Sequence, residues 1–200
     1  MRVGVVLLAA GGSSRLGRPK QLLVHEGKTL VRRAAEAAVA AQCGPVVVVL
    51  GAQAEAVLAE LVGLPVRTVQ NADWGAGMGS SLKVGLRALD TEEPPGANPA
   101  VEAVLVMLCD QLRVDAGHLL ALVETFTRTR APIVASSYEG TRGVPALFSR
   151  ALFPELEALA PDQGARGVIA RDPSRVVEVA LASGGEDVDT AQDLSRLTGL

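Results

Sequence analysis

The N-terminal stretch Val3-Gly-Val-Val-Leu-Leu-Ala-Ala-Gly-Gly-Ser-Ser-Arg15 joins an apolar run to a turn of small residues. Its beginning superficially resembles a signal peptide, but the run ends in glycine and serine without a convincing cleavage pattern. Valine dominates the first half of the run, and β-branched residues favour strands. We therefore predict a buried first strand that leads into a glycine-rich loop.

Short apolar runs alternate with segments of helical periodicity along the rest of the chain. The runs are nearly continuous in hydrophobicity, which is typical of strands covered on both faces, and they span residues 3–8, 46–50, 66–69, 104–108, 133–136 and 176–180. The helical segments span residues 29–42, 54–62, 80–89, 115–128 and 191–197. This alternation predicts an α/β fold with three layers, in which helices cover both faces of a mostly parallel, Rossmann-like sheet.

Two segments depart from this alternation. Residues 90–99 contain three prolines and three acidic residues and are predicted to form a polar surface linker. Residues 137–143 are predicted to form a hairpin-type turn before a short strand at 144–148, giving a small antiparallel insertion beside the main sheet. The length fits one domain, and we expect residues 1–200 to form a single domain.

The composition excludes several classes of protein. With 48% hydrophobic and 20% charged residues, the chain has the composition of a globular protein. A net charge of −3 provides no basic surface for a phosphate backbone, and 2% aromatic residues provide few platforms for base stacking. No run approaches the roughly 20 apolar residues of a membrane span. We therefore expect a cytoplasmic protein whose main partner is neither nucleic acid nor membrane.

The cysteines and histidines provide neither a disulfide framework nor a zinc site. Cys43 and Cys109 are too few for a four-ligand site, and His25 and His118 are far apart in the sequence. Cys109 lies at an apolar strand and is expected to be a buried thiol without a catalytic role.

The glycine-rich loop has the composition of a phosphate-binding site. It follows a buried strand, so in a parallel sheet it lies at the carboxyl edge, where ligands bind. Small residues allow backbone N–H groups to approach a phosphate, and Arg15 and Lys20 add positive charge. Two of its glycines have the spacing of a P-loop, but Arg18-Pro19 stands where a P-loop has Lys and then Ser or Thr. The Gly-x-Gly-x-x-Gly fingerprint of dinucleotide-binding folds does not occur at this turn.

Residues 8–23 match every fixed position of the pattern L-A-A-G-x-S-x-R-x-G-x-P-K-x-L-L. This stretch resembles the signature of the small nucleotidyltransferases. Within the MobA-like NTP transferase superfamily it is most similar to the molybdenum cofactor cytidylyltransferases and their guanylyltransferase relatives. The resemblance implies a fold like that of the nucleotide-diphospho-sugar transferases and a nucleotidyl transfer reaction.

Four further segments extend the resemblance over essentially the whole chain. They are residues 71–82, 108–111, 162–166 and 187–194, which resemble N-x-x-W-x-x-G-M-x-x-S-L, L-C-D-Q, D-x-G-A-R and D-I-D-T-x-x-D-L in that order. The chain departs from the family at Leu112 and Ala191, where proline is usual, and at Val144, where the cofactor enzymes often have histidine. The first two departures concern the local backbone, and the third concerns the choice of substrate rather than the type of reaction.

Acidic residues indicate where a metal ion would bind. Asp110 follows the apolar run at 104–108, and an acid at that edge is well placed to bind Mg²⁺, which accepts one or two carboxylates. The alternative is a helix N-cap, because Asp is favoured there and a helix follows. The nearby glycine-rich loop favours the metal. Asp187 and Asp189 share a face of a strand-like segment, so one is expected to complete the metal site and the other to cap the final helix.

The expected nucleotide site combines side-chain charges with main-chain groups. Lys20 is expected to neutralise the β- and γ-phosphates and the leaving pyrophosphate, with Arg15 as a second donor to the triphosphate. Together with Asp110, these residues form the predicted catalytic set. Ser80 or Ser81 is expected to cap the following helix, whose positive end favours an anion. The remaining nucleotide contacts are expected at Leu8, Ala9, Ala10, Gly11, Gly12, Ser81 and, from the resemblance, Asn71.

The resemblance also implies an acceptor site and a specific reaction. Arg166 would bind the molybdopterin phosphate, with Gly143 and Pro145 beside it. The reaction would transfer CMP from CTP to that phosphate, with Mg²⁺ as cofactor and pyrophosphate as product. The alternatives are guanylyl transfer, transfer to another small phosphate, or a non-catalytic carrier of the molybdenum cofactor. A molybdoenzyme or its chaperone is the expected macromolecular partner.

Overall fold

The computed structural model of the protein describes residues 2–13, 18–90 and 101–182. The strands in these residues are β1 Val3–Ala9, β2 Val24–His25, β3 Lys28–Thr29, β4 Val46–Leu50, β5 Arg67–Gln70, β6 Ala103–Leu108, β7 Ile133–Tyr138, β8 Thr141–Ser149 and β9 Val176–Ala180. The α-helices are α1 Leu30–Ala40, α2 Ala54–Glu60, α3 Met78–Asp90, α4 Ala116–Thr129, α5 Phe153–Glu157 and α6 Arg166–Arg171.

Seven of the strands form one sheet in the order β5-β4-β1-β6-β8-β7-β9. β8 runs antiparallel to β6 and β7, and the other neighbouring strands are parallel, so they all end at the same edge of the sheet. α1, α2 and α4 pack on one face of the sheet, and α3, α5 and α6 pack on the other. The predicted three-layer, mostly parallel α/β sheet is confirmed.

The central strands form the core of the molecule. β1 and β4 are buried at every residue and β6 at all but its last, because helices cover both faces of the sheet. Each fully buried valine or leucine side chain contributes about 1.5–3 kcal/mol to folding. Polar groups are therefore concentrated at the strand ends, and the carboxyl ends of β1 and β6 lie side by side through the pair Leu8 and Leu108.

The antiparallel insertion belongs to the main sheet and does not lie beside it, so that part of the prediction is wrong. β8 lies between β6 and β7 and begins three residues before the predicted strand at 144–148. Its connection to β7 is limited to Glu139 and Gly140. The first two residues of β8, Thr141 and Arg142, are not buried, so hydrophobicity alone did not mark them as strand.

Several short elements were not predicted from the sequence. α5, α6 and the β2–β3 hairpin are too short to show a clear hydrophobic period. The predicted helix at 191–197 lies outside the described residues, and so does the linker at 90–99 apart from its first residue. That residue, Asp90, is the last residue of α3. Within the part of the chain that the structure describes, no helix has the length and hydrophobicity needed to cross a membrane.

Candidate active site

A pocket of about 290 Å³ opens at the carboxyl ends of β1 and β6. Residues from the loop after β1, the start of α3 and the loop after β6 line it: Leu8, Ala10, Gly11, Gly12, Lys20, Gln21, Trp74, Gly75, Gly77, Met78, Ser81, Leu108, Cys109 and Asp110. We call it the glycine-loop pocket, and we use glycine loop for residues 10–13. The structure thus brings together most of the residues predicted to bind a nucleotide, although they are far apart in sequence.

Lys20 and Asp110 form an ion pair inside this pocket. The Lys20 ammonium donates to Oδ2 of Asp110, and the two side chains are 25% and 9% exposed. The other carboxylate oxygen, Oδ1, is buried and has no hydrogen-bond partner among the residues that the structure describes. A buried carboxylate oxygen without a donor is costly unless a cation or another donor can reach it.

The buried Oδ1 atom of Asp110 fits a divalent cation. Mg²⁺ binds through one or two carboxylates and completes its shell with water and phosphate oxygens. Among residues 2–13, 18–90 and 101–182, no group of three His, Cys, Asp or Glu side chains lies close enough to hold a metal without a phosphate. Of the three predicted metal ligands, Asp110 is the one that the structure describes, and its role as a ligand stays a prediction. The predicted partners Arg15, Asp187 and Asp189 lie outside the described residues.

The structure removes the alternative role for Asp110 as a helix cap. α4 begins at Ala116, and its N-cap is Asp115, whose side chain accepts a 2.8 Å hydrogen bond from the backbone N–H of His118. Asp110 lies in the turn before that cap and is too far along the chain to act on the first turn of α4. Its carboxylate is directed to Lys20 instead.

Gln21 lies beneath the glycine loop and was not among the predicted site residues. Its Nε2 group donates to the carbonyl oxygens of Ala9 at 3.1 Å and Gly11 at 2.6 Å. The carbonyl of Ala10 accepts from the N–H of Ala52 at 3.1 Å, and Ala9 does not line the pocket. A nucleotide that used the carbonyls of Ala9 and Ala10, where contacts were predicted, would therefore compete with bonds that the protein already makes.

Asn71 acts on the pocket through two serine side chains. It is buried, and its Nδ2 group donates to the hydroxyl oxygens of Ser80 and Ser81, each at 2.9 Å. Ser81 lines the pocket, whereas Asn71 does not. These bonds allow Asn71 to orient Ser81, while its direct contact with the nucleotide stays a prediction.

Neither serine caps α3, which corrects the prediction. The helix begins at Met78, so Ser80 and Ser81 lie in its first turn. The backbone N–H groups of Gly79 and Ser80 both donate to the carbonyl of Pro161, at 2.8 and 3.3 Å. Because a protein carbonyl already satisfies these two donors, they are not available to an anion.

Trp74 forms the outer wall of the glycine-loop pocket. A side chain at Gly12 would bring Cβ within 2.9 Å of Trp74 Cζ3, so the indole lies close to the loop and would have to shift to make room for it. The N-x-x-W pattern was the available signal for this residue, but the pattern alone did not assign it a role.

A second pocket of about 570 Å³ lies at the same edge of the sheet, where β7, β8 and β9 meet α6. We call it the α6 groove. Arg166 lines it together with Tyr138, Arg142 and Glu178, and the Arg142 guanidinium forms a 2.6 Å ion pair with Glu178. The loop that leads into α6 also touches the first pocket, because Gly164 lies against Met78.

Gly143 and Pro145 do not line the α6 groove. Both are buried on β8, and a side chain at Gly143 would collide with the hydroxyl of Tyr138. The carbonyl of Pro145 accepts a 2.6 Å hydrogen bond from the buried hydroxyl of Ser136. The carbonyl of Val144 accepts a 2.7 Å bond from Gln111. Gly143 and Pro145 are therefore buried next to residues of the groove and are not part of its lining, whereas Arg166 is exposed in it.

Cys109 lies in the lining of the first pocket and is a buried thiol, as predicted. Burial raises the pKa of Cys109, and the negative charge of Asp110 adds to the increase. The thiol is therefore protonated at neutral pH. A protonated thiol is a poor nucleophile, so the structure gives Cys109 no catalytic role.

A glycine loop, a lysine and a buried carboxylate at the carboxyl edge of this sheet define a nucleotide-binding α/β protein. The sequence profile of the MobA-like NTP transferase domain matches residues 5–176. The chain belongs to this family of nucleotidyltransferases, and the family predicted from residues 8–23 is confirmed.

Three comparisons describe the relatives of this chain. It is 38% identical to nicotine blue oxidoreductase from Paenarthrobacter nicotinovorans, over 96% of this chain and 94% of the relative. The crystal structure of Rv0371c from Mycobacterium tuberculosis H37Rv has a TM-score of 0.80 and 30% identity, and the alignment covers 100% and 99% of the two chains. The same protein has been crystallised as a complex with manganese. A nucleotidyl transferase from Methanothermobacter, with a TM-score of 0.79 and 22% identity over 99% and 96% of the chains, shares the fold.

Proposed function

We propose that this protein transfers CMP from CTP to the phosphate of a molybdopterin-type acceptor and releases pyrophosphate. The observation that supports this most directly is the ion pair between Lys20 and Asp110 beside the glycine loop, in which Oδ1 of Asp110 has no partner among the described residues. An anionic phosphate group and a metal ion are the ligands that these opposite charges would accept. The resemblance of Ala9-Ala10-Gly11 and Cys109-Asp110-Gln111 to the cytidylyl branch favours CTP over GTP.

Asp110 is the proposed ligand for Mg²⁺, with Asp187 or Asp189 as a second carboxylate. The manganese complex of the relative from Mycobacterium tuberculosis supports a divalent cation in this family. When bound, Mg²⁺ would neutralise charge on the triphosphate and orient it for in-line attack.

Lys20 changes partners in the proposed reaction cycle. Its ammonium pairs with Asp110 before substrates bind, and it turns to the β- and γ-phosphates when the triphosphate enters. An oxygen of the acceptor phosphate then forms a bond to the α-phosphorus, and the bond from that phosphorus to the bridging oxygen breaks. The electron pair leaves with pyrophosphate, whose charge Lys20 and Arg15 neutralise. The acceptor phosphate is already an anion, so this step needs no general base.

The α6 groove is the proposed acceptor site. Arg166 and Arg142 give it two guanidinium groups, which suit a phosphate. Gly143 and Pro145 would support this site from behind rather than touch the acceptor. A receiving molybdoenzyme or chaperone, and a cytoplasmic location, remain predictions.

A redox reaction is the second candidate function. It is favoured by the 38% identity to a protein named nicotine blue oxidoreductase. The residues of the glycine-loop pocket give it less support, because they combine a cation and a carboxylate with a protonated thiol. A cation and a metal-binding carboxylate suit a phosphate with its metal ion, whereas electron transfer requires a bound carrier.

A pyrophosphate-release assay tests the proposal. Each of the four ribonucleoside triphosphates is supplied with and without molybdopterin and Mg²⁺, and nicotine blue with a reduced nicotinamide is tested in parallel. We expect release with CTP only when acceptor and Mg²⁺ are both present. Equal rates with GTP would contradict the cytidylyl assignment. Molybdopterin binding without any release would indicate a carrier, and turnover of nicotine blue alone would indicate the oxidoreductase.

A further inference from the structure

Gln21 connects the end of β1 to the glycine loop. It lies in a 3₁₀ turn at Lys20–Leu22, and the residue is only 2% exposed. Its Nε2 group donates to Ala9, the last residue of β1, and to Gly11 in the loop. Burying an amide is unfavourable unless its hydrogen bonds are made, and both donors of this one have an acceptor.

The bond to Gly11 fixes the direction of the next peptide group. In a trans peptide, the C=O and the following N–H point in opposite directions. Because the Gly11 carbonyl is bound to Gln21, the N–H of Gly12 must point to the other side of the loop. Gln21 therefore sets the orientation of a main-chain donor in the loop that lines the pocket.

Gln21 also reduces the negative electrostatic potential at the place where a phosphate would approach the glycine loop. A free carbonyl oxygen carries a partial negative charge and would repel a triphosphate at close range. Gln21 neutralises two such oxygens with its amide protons. In addition, the hydroxyl of Ser13 accepts the backbone N–H of Lys20 at 3.0 Å, so the same turn fixes the glycine loop relative to Lys20.

We infer that Gln21 is a positioning residue that holds the glycine loop in the conformation that binds the nucleoside triphosphate. It acts through the main chain of Ala9 and Gly11. This inference rests on the proposed function, because the ligand that benefits from the loop is the triphosphate.

The test replaces Gln21 by methionine, which has a similar volume and no donor. The matched control is Gln53→Met, at an exposed residue whose side chain does not cap α2. Trp74 provides a readout without turnover, because it is the only tryptophan in the chain and contacts Gly12. Its fluorescence is titrated with MgCTP in each variant.

We expect Gln21→Met to weaken MgCTP binding by roughly tenfold or more, since two hydrogen bonds are lost. KM for CTP rises by a similar factor, while kcat and KM for the acceptor stay within about threefold. The fluorescence of Trp74 also shifts before CTP is added, because the loop has moved. A purely structural role predicts a lower melting temperature with unchanged CTP affinity in the molecules that remain folded.

Gln21→Glu gives a second test in case the methionine variant folds poorly. An ionised glutamate cannot donate to the two carbonyls, but a protonated one can donate to one of them. We therefore expect CTP binding to recover partly in this variant as the pH is lowered from 8 to 6, relative to the wild type at each pH. Wild-type affinity in both variants would overturn the inference. If the wild-type protein itself binds no nucleoside triphosphate, the proposed function fails instead.

Discussion

Two ion pairs at the same edge of the sheet differ in their surroundings. Lys20 and Asp110 are 25% and 9% exposed, whereas Arg142 and Glu178 are 37% and 41% exposed. An exposed pair contributes about 0–1 kcal/mol to stability, because water can replace either partner. A buried charge that loses its partner costs about 3–5 kcal/mol.

The comparison shows two ways of preparing a surface for a charged ligand. In the glycine-loop pocket, Lys20 and Asp110 hold each other in place, and a ligand must satisfy both groups when it separates them. In the α6 groove, the arginines are already solvated and can turn to a ligand at little cost. We therefore expect substitutions in the first pocket to affect turnover strongly and those in the groove to affect affinity.

Asp110→Asn is expected to have the largest effect on activity. The amide keeps the shape of the side chain but is a poorer ligand for Mg²⁺, and the pocket loses an anion. We expect turnover to fall by roughly 10³-fold, the upper range for one preorganised electrostatic group. The melting temperature should change little, because the charge left without a partner is that of Lys20, which is 25% exposed and can be solvated by water. The measurement is turnover against Mg²⁺ concentration, with thermal melts in parallel.

Asp115→Asn is the matched control for that experiment. It makes the same chemical change at the cap of α4, and asparagine caps a helix about as well as aspartate. Turnover should be unchanged in this variant. If Asp110→Asn also left turnover and the Mg²⁺ midpoint unchanged, Asp110 would not be the metal ligand.

Lys20→Met is expected to reduce turnover by roughly 10²-fold through the loss of a charged donor to the triphosphate. The same substitution should increase the affinity for a divalent metal ion when no nucleotide is present. The ammonium no longer occupies Oδ2 of Asp110, so Mn²⁺ alone should bind more tightly than it does to the wild type. Paramagnetic resonance of free Mn²⁺ measures this affinity.

Lys28→Met controls for the general loss of a positive charge. Lys28 pairs with Glu36 on the surface, so both turnover and Mn²⁺ affinity should stay at wild-type values. Weaker Mn²⁺ binding in Lys20→Met would mean that Lys20 does not compete with the metal for Asp110.

Arg166→Met tests the α6 groove, which is the more exposed of the two sites compared. Arg166 is the first residue of α6 and lines the groove, so its loss should raise KM for the acceptor by about tenfold. KM for CTP and kcat should change little. Arg171→Met, at the other end of the same helix and paired with Glu155, should behave like the wild type. An unchanged acceptor KM in Arg166→Met would exclude the groove as the acceptor site.

The sequence predicted the parts of the fold and site that depend on regular patterns. The buried strands have continuous hydrophobicity, and Lys20 and Asp110 stand in recognisable motifs at strand ends. The position of β8 was not predictable in this way, because strand order depends on packing between segments far apart in the chain.

The supporting residues of the site were harder to find from the sequence. Gln21 occupies a variable position of its motif, and its bonds to Ala9 and Gly11 exist only once the loop folds back. Ser80 and Ser81 have the chemistry of helix caps, but α3 begins at Met78, before both of them, and their hydroxyls accept from Asn71 instead. In both cases the hydrogen bonds of these side chains depend on the tertiary structure, which local sequence preferences do not predict.

The smallest effect is expected at His118, a half-buried residue of α4 that contacts β7 through Ser136. The hydroxyl of Ser136 donates to the carbonyl of Pro145, so its oxygen accepts from Nε2–H of His118, 2.7 Å away. Burial lowers the pKa of His118 below its usual value, and the charge of Asp115 offsets only part of this change.

Acid should therefore destabilise the protein through His118. Below the ordinary histidine pKa of about 6.5, the unfolded chain binds a proton that the folded protein does not, so stability falls with decreasing pH until the folded-state pKa is reached. His118→Gln keeps an amide donor for Ser136 but does not titrate. We expect its melting temperature to fall less than that of the wild type between pH 7.5 and pH 5. An equal fall in melting temperature for the two proteins over this pH range would show that His118 is not the group responsible.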